Sequence, residues 1–148
     1  MEKYQFQNDI HVFCVTASSF PFGVLEAHKK LHSLLPSDES RSFFGISYPN
    51  GKGDIIYKAA VEESYPDEGK KYGCEEFVIK KGEYISEFLE DWCKDESAVS
   101  KAFKKLLAHP DIDSKGYCLE MYLGERDMRC LVPLNPSENI HKPKPAIK

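Results

Sequence analysis

One glutamate sits in the middle of an otherwise apolar strand, and its chemistry depends on what surrounds it. In GYCLEMYLG (residues 116–124) successive side chains point to opposite faces of a strand. Tyr117, Leu119, Met121 and Leu123 share one face, expected to lie under a helix, and Cys118, Glu120 and Tyr122 share the other. The second set places a carboxylate between a thiol and a phenol. On a solvated face that Glu does nothing special. In an enclosed groove it is a desolvated charge with a raised pKa, and a cationic or hydrogen-bonding ligand relieves the cost.

Aromatic residues make up 12% of the chain. Tyr48, Tyr57, Tyr84, Phe88 and Trp92 lie near the inner edges of a doubled strand-helix-strand-strand unit, as candidate π faces for a flat or cationic ligand. Ordinary core packing competes with that role at each of them. Other chemistry fares worse. His28 and His32 stand four apart on one helix, but no Glu or Cys completes a metal set there, so no metal site is assigned. GKG in NGKGD (50–54) lacks the spacing and following helix of a phosphate loop and reads as a hairpin turn. No Ser/His/Asp order and no motif around a cysteine points to a nucleophile. The five cysteines are odd in number, without CxxC spacing, and mostly inside apolar runs. They read as free thiols of a reduced, cytoplasmic protein.

The elements that position these residues follow from periodicity. IHVFCVTA (10–17) is a buried strand. Val24, Ala27, Leu31, Leu34 and Leu35 then recur at helical spacing up to Pro36, predicting a helix near Phe22–Leu35. FFGISYP (43–49) and IIYKAAVE (55–62) form a hairpin around the Gly-rich turn. A polar stretch, 63–75, reads as a linker. EFVIKKGEYISEFLE (76–90) reads as one strand with a bend at Gly82. Val99, Ala102, Phe103 and Leu106 predict a helix near Glu96–Ala108, and 116–124 with 128–134 make the last strand pair. The tail, 135–148, has no apolar period and is expected to be mobile.

Strand, helix, strand, strand thus occurs twice. The expected fold is α+β: two β-α-β-β repeats with pseudo-two-fold symmetry, an antiparallel sheet with both helices on one face, and a ligand groove between the repeats. Residues 1–134 form one domain, with repeat one at about 10–62, the linker at about 63–75 and repeat two at about 76–134. The chain has 148 residues, 20 basic and 24 acidic, and a net charge of -4. That balance lacks the basic footprint of a nucleic-acid binder. The longest uncharged stretch, Val12–Leu25, falls short of the roughly 20 apolar residues a membrane span needs. The N-terminal residues read as no secretory signal.

GYCLEMYLGERDMRCLVPL resembles the last strand pair of the GyrI-like family, the bacterial transcription-activator (AraC-type) effector-binding domain, with Glu120, Tyr122 and Pro133 in matching places. Lys80–Phe88 resembles its Gly-x-Tyr strand through Gly82 and Tyr84. Phe44–Asn50 resembles its hairpin strand, although Ser47 stands where an aromatic is usual and Pro49 and Asn50 are swapped. The family's Gly-Pro-Tyr is missing, and EDWCKD (90–95) occupies that region with Trp92. The resemblance, over roughly Ile10–Leu134, implies a stand-alone effector-binding protein. It implies a partly apolar ligand, cations included, in the central groove, with an indirect part in transcription regulation or drug or toxin sequestration. Taken with the strand face and the aromatics above, the candidate binding residues are Glu120, Tyr122, Cys118, Tyr48, Tyr57, Tyr84, Phe88 and Trp92. No cofactor is expected, and the partner is a small molecule rather than nucleic acid or membrane. The resemblance also leaves open an alternative, a hydrolase of electrophilic small molecules with Glu120 as general base.

Overall fold

The computed structural model describes residues 1–36, 40–95 and 97–136. The expected tail lies outside the described residues from position 137 onward. The elements run β1 (Glu2–Phe6), β2 (Ile10–Thr16), α1 (Val24–Ser33), β3 (Phe43–Pro49), β4 (Ile55–Glu62), α2 (Glu68–Lys71), β5 (Glu75–Ile79), β6 (Gly82–Leu89), α3 (Ala98–Leu107), β7 (Cys118–Leu123) and β8 (Asp127–Pro133). The strands form one antiparallel sheet of eight in the order β1-β6-β8-β7-β3-β4-β2-β5.

The sheet curls, and a short connection accounts for it. β5 lies at one end of the strand order and β6 lies next to the other end. Only Lys80 and Lys81 join them, and two residues reach roughly 7 Å. The two ends of the sheet must therefore meet at that corner. Phe6 of β1 and Ile79 of β5 pack accordingly in one buried cluster with Val12, Phe44, Leu119 and Leu131. The result is a half-barrel filled by apolar side chains.

This corner corrects one sequence expectation and brings in a strand for which the sequence carried no assignment. Residues 76–90 are two strands on different sides of the sheet, because Gly82, at φ +129°, takes a backbone conformation that L side chains rarely adopt. The polar N-terminal segment is a strand, β1, pairing with β6 and burying Phe6. The expected linker contains α2, whose Glu68 is buried and accepts from Arg41 Nη1 at 2.6 Å and the Ser64 backbone N–H at 2.8 Å.

The helices cover apolar strand positions. Ala27 and Leu31 of α1 pack on Phe13, Tyr57, Ala59 and Val61. Ala102 and Leu106 of α3 pack on Ile85, Met128, Cys130 and Val132. Across the middle of the sheet, Ala59 pairs with Gly45, Gly45 with Glu120, and Glu120 with Cys130. The expectation that Leu119 and Met121 lie under a helix is corrected. They pack in the half-barrel cluster, which contains no helical residue, whereas Cys118 and Tyr122 pack against the α3 cluster. Leu31 is fully buried and seats the helix that carries His28. Leu31→Ala should cost about 2–5 kcal/mol, read as a lower urea midpoint with an unchanged slope. An unchanged midpoint would mean that this contact does not hold α1 on the sheet.

Candidate functional site

Glu120 is the hub of a hydrogen-bonded cluster drawn from three elements, with a fourth passing beneath it. Tyr57 of β4 donates its hydroxyl to Glu120 Oε1 at 2.7 Å, and Tyr122, two residues along β7, donates to the same oxygen at 2.7 Å. The two phenol oxygens lie 3.3 Å apart. His28 Nε2, from α1, is 2.8 Å from the Tyr57 hydroxyl and 3.4 Å from that of Tyr122. Both phenol protons are committed to the carboxylate, so the imidazole is the donor and carries its proton on Nε2. Every donor in the chain His28–Tyr57–Glu120 therefore points toward the carboxylate. Among the described residues, Glu120 Oε2 has no hydrogen-bond partner, and the side chain is partly exposed.

The fourth element is a glycine. Tyr57 and Glu120 stand on strands separated by β3, so the phenol must cross about 10 Å of sheet. It crosses over Gly45, the residue paired with both Ala59 and Glu120. A Cβ on Gly45 would collide with the Tyr57 hydroxyl and with Glu120 Oε1. Glycine in mid-strand otherwise weakens a sheet, and close approach is one reason for it to be there.

Burial sets the electrostatics. It raises the Glu120 carboxyl above its ordinary range, against the two phenol bonds, which favour the anion. It also raises both phenols, and the nearby Glu120 charge raises them further, so they stay protonated donors. Burial lowers the His28 imidazole to about 4, with a smaller push from His32, so it is neutral at physiological pH. Cys118, on the Glu120 face, is pushed up to about 11 by burial and is no thiolate nucleophile.

A cleft of about 890 Å³ adjoins the cluster. Its walls are Phe22, Leu25 and His28 on one side and Trp92 and Tyr122 on the other, with Phe43 between. Among the described residues that line it there is no lysine, arginine, aspartate or glutamate. Aromatic rings pack around the polar cluster: His28 lies 5.3 Å from Tyr122, Trp92 6.0 Å from Tyr122, and Phe20 stacks on Tyr57 at 5.9 Å. The mouth is apolar, with Phe22 90% and Leu25 65% exposed.

Of the residues singled out from sequence, Glu120, Tyr122, Tyr57 and Trp92 come together here, and Cys118 lies on the same strand face among the α3 contacts. Tyr48, Tyr84 and Phe88 do not. Tyr84 and Phe88 alternate with Ile85, which packs under α3, so period two turns them to the other face. Tyr84 donates to the Lys80 carbonyl at 2.7 Å and meets Tyr117 in the half-barrel. Tyr48 packs on that same cluster, and Phe88 is 45% exposed beside Arg129. Sequence reasoning missed His28, Gly45, Phe20, Phe22, Leu25 and Phe43. His28 adjoins Ala27 and stands three before Leu31, at the border of the buried helix stripe, and Gly45 interrupts a strand. Those were the available signals. Among the described residues no group of three or more His, Cys, Asp or Glu could hold a metal, and no helix is long and apolar enough to cross a membrane.

No family model matches the sequence, and no curated protein does. Solved structures do resemble the fold. An integron cassette protein from the mobile metagenome of Vibrio cholerae superposes with a TM-score of 0.64 at 10% identity, over 90% of this chain and 95% of its own. SAV2435, solved bound to tetraphenylphosphonium, gives 0.61 at 10% identity, over 95% of this chain and 96% of its own. An uncharacterized conserved protein from Listeria innocua gives 0.54 at 11% identity, over 90% and 91%. At these identities the likeness is one of fold.

Two predictions follow from the geometry. Gly45→Ala should either break the Tyr57–Glu120 bond or displace the buried phenol. Its expected cost is about 1–3 kcal/mol, seen as a lower unfolding midpoint, and an unchanged midpoint would show that the sheet has slack there. The second concerns His28, which Tyr57 and Tyr122 face from the sheet and His32 from its own helix. Its pKa is depressed in the folded state, so the unfolded chain binds the extra proton first. The stability it contributes is present above pH 6.5 and is lost as pH falls toward about 4. Over that interval the wild type should lose up to about 3 kcal/mol more than His28→Gln, measured by urea unfolding at each end. Parallel losses in the two proteins would show that His28 is not held neutral by the fold.

Proposed function

We propose that this protein binds a small, largely apolar cation, with the charge held near Glu120 and the apolar body in the aromatic cleft. One observation carries the reading: a largely desolvated carboxylate has one oxygen saturated by two phenols and the other unpartnered among the described residues, with no lysine or arginine among the described groups that shift its pKa. Such a charge gains most from a cation that brings its own apolar surface. Tyr122, Trp92 and His28 offer ring faces to it. That a protein of similar fold was solved with tetraphenylphosphonium, an apolar cation, supports the reading.

In this proposal the chain is a member of the GyrI-like effector-binding group. Its halves, β2-α1-β3-β4 and β6-α3-β7-β8, form a pseudo-two-fold pair with both helices on one face of the sheet. The cleft then lies where the halves meet, with α1 and β3 on one side and β7 with Trp92 on the other. Any part in transcription regulation or in sequestering a drug or toxin would be exercised through the bound molecule, with no cofactor.

Calorimetric titration with tetraphenylphosphonium tests the reading. Glu120→Gln should weaken binding at least about a hundredfold, the loss expected when a buried charge pair loses one partner. Affinity should also fall as pH drops through the raised Glu120 pKa, because protonation removes the counter-charge. No binding, or binding indifferent to Glu120→Gln, overturns it. Turnover of an electrophilic substrate that Glu120→Gln abolishes would replace it with the hydrolase.

A further inference from the structure

Resting on that reading, we infer that the site selects cations that carry an N–H donor, such as protonated amines and amidines on an aromatic body, over quaternary onium ions of the same size. The two oxygens of Glu120 are not equivalent. Oε1 accepts from Tyr57 and Tyr122, both at 2.7 Å, while Oε2 has no hydrogen-bond partner among the described residues. A carboxylate oxygen taken out of water without a donor keeps its desolvation cost. A quaternary or phosphonium ion offsets the charge but leaves Oε2 bare, since its charge is sheathed in carbon. An ammonium or amidinium N–H gives the same charge and closes the missing hydrogen bond, and charge-assisted bonds are the strong ones.

Among the described residues no substitute donor reaches Oε2. The phenol protons are already directed to Oε1, the His28 Nε2 proton lies against the Tyr57 oxygen, and Gly45 brings no side chain. No lysine or arginine is among the described residues that line the cleft. The donor must therefore come with the ligand or be lost to it when water leaves. The apolar walls supply the affinity for the body of the ligand, and Oε2 supplies the discrimination between head groups.

Three probes of one shape decide it: naphthylmethyl-dimethylamine, which is protonated at neutral pH, its trimethylammonium analogue, and the neutral tert-butyl-type carbon isostere. Titrated into wild type, the protonated amine should bind about ten- to a hundredfold more tightly than the quaternary ion. In Glu120→Gln, checked for folding by its melting profile, that ratio should collapse toward one. Equal binding of the two cations to wild type, with the neutral probe weaker, overturns the selectivity and leaves the cation-binding reading standing. Binding of all three alike, or of none, overturns both. The wild-type ratio decides the question even if the variant does not fold.

Discussion

Tyr57 reaches Glu120 across an intervening strand, and that single hydrogen bond constrains much of the molecule. A carboxylate on a covered sheet face needs donors, since desolvating it without them costs several kcal/mol. One donor, Tyr122, is available on the same strand two residues away, as the pleat dictates. The other comes from β4, whose Tyr57 phenol bridges the gap across β3. That requires Gly45 beneath it, α1 above it to exclude water, and a side chain on α1 able to donate to the phenol oxygen. Gly45, Leu31 and His28 fill those three positions.

The same constraint explains why the cluster sits beside a cleft rather than inside a closed core. A fully sealed version would leave Glu120 Oε2 both desolvated and unpaired, the most expensive arrangement for a carboxylate. Partial access lets water or a ligand reach it. The half-barrel cluster on the other face carries no such demand. There Tyr84 and Tyr117 satisfy each other and the Lys80 backbone, and the remaining volume is filled with aliphatic and aromatic side chains. One face of the sheet holds the fold together, and the other holds the polar cluster.

Much of this was legible in the sequence. The alternation through residues 117–123 separates Glu120 and Tyr122 from Leu119 and Met121, and that separation holds because period two is a property of the strand itself. The hairpin strands at 43–49 and 55–62 coincide with β3 and β4. What could not be read is which face each aromatic strand presents, and so Tyr57 and Tyr48, both plausible on composition, part company. Face assignment depends on register with neighbouring strands, and register is a property of pairs. The curl is likewise hidden: nothing local in EFVIKKGEYISEF says that its two halves belong at opposite ends of the strand order. β1 was missed because an edge strand needs only one buried side chain, here Phe6, to earn its place among polar residues.

His28 shows how a local reading goes astray in an instructive way. Seen with His32, four residues on, it suggests a metal pair; seen on the helix alone, it faces water. In the folded protein the two rings serve different neighbours. His32 stacks on Phe43 at 4.3 Å, and His28 is turned onto the phenols. Burial keeps His28 neutral, and that neutrality matters to the charge balance. A protonated His28 would be a built-in counter-ion two hydrogen bonds from Glu120, and it would lower the demand for an external cation. By holding the imidazole pKa near 4, the fold keeps His28 from supplying a counter-charge to Glu120 at physiological pH. Desolvation therefore acts on Glu120 without a cation from α1 to offset it, which is why burial raises its carboxyl pKa, and in the proposed reading a bound cation supplies that offset.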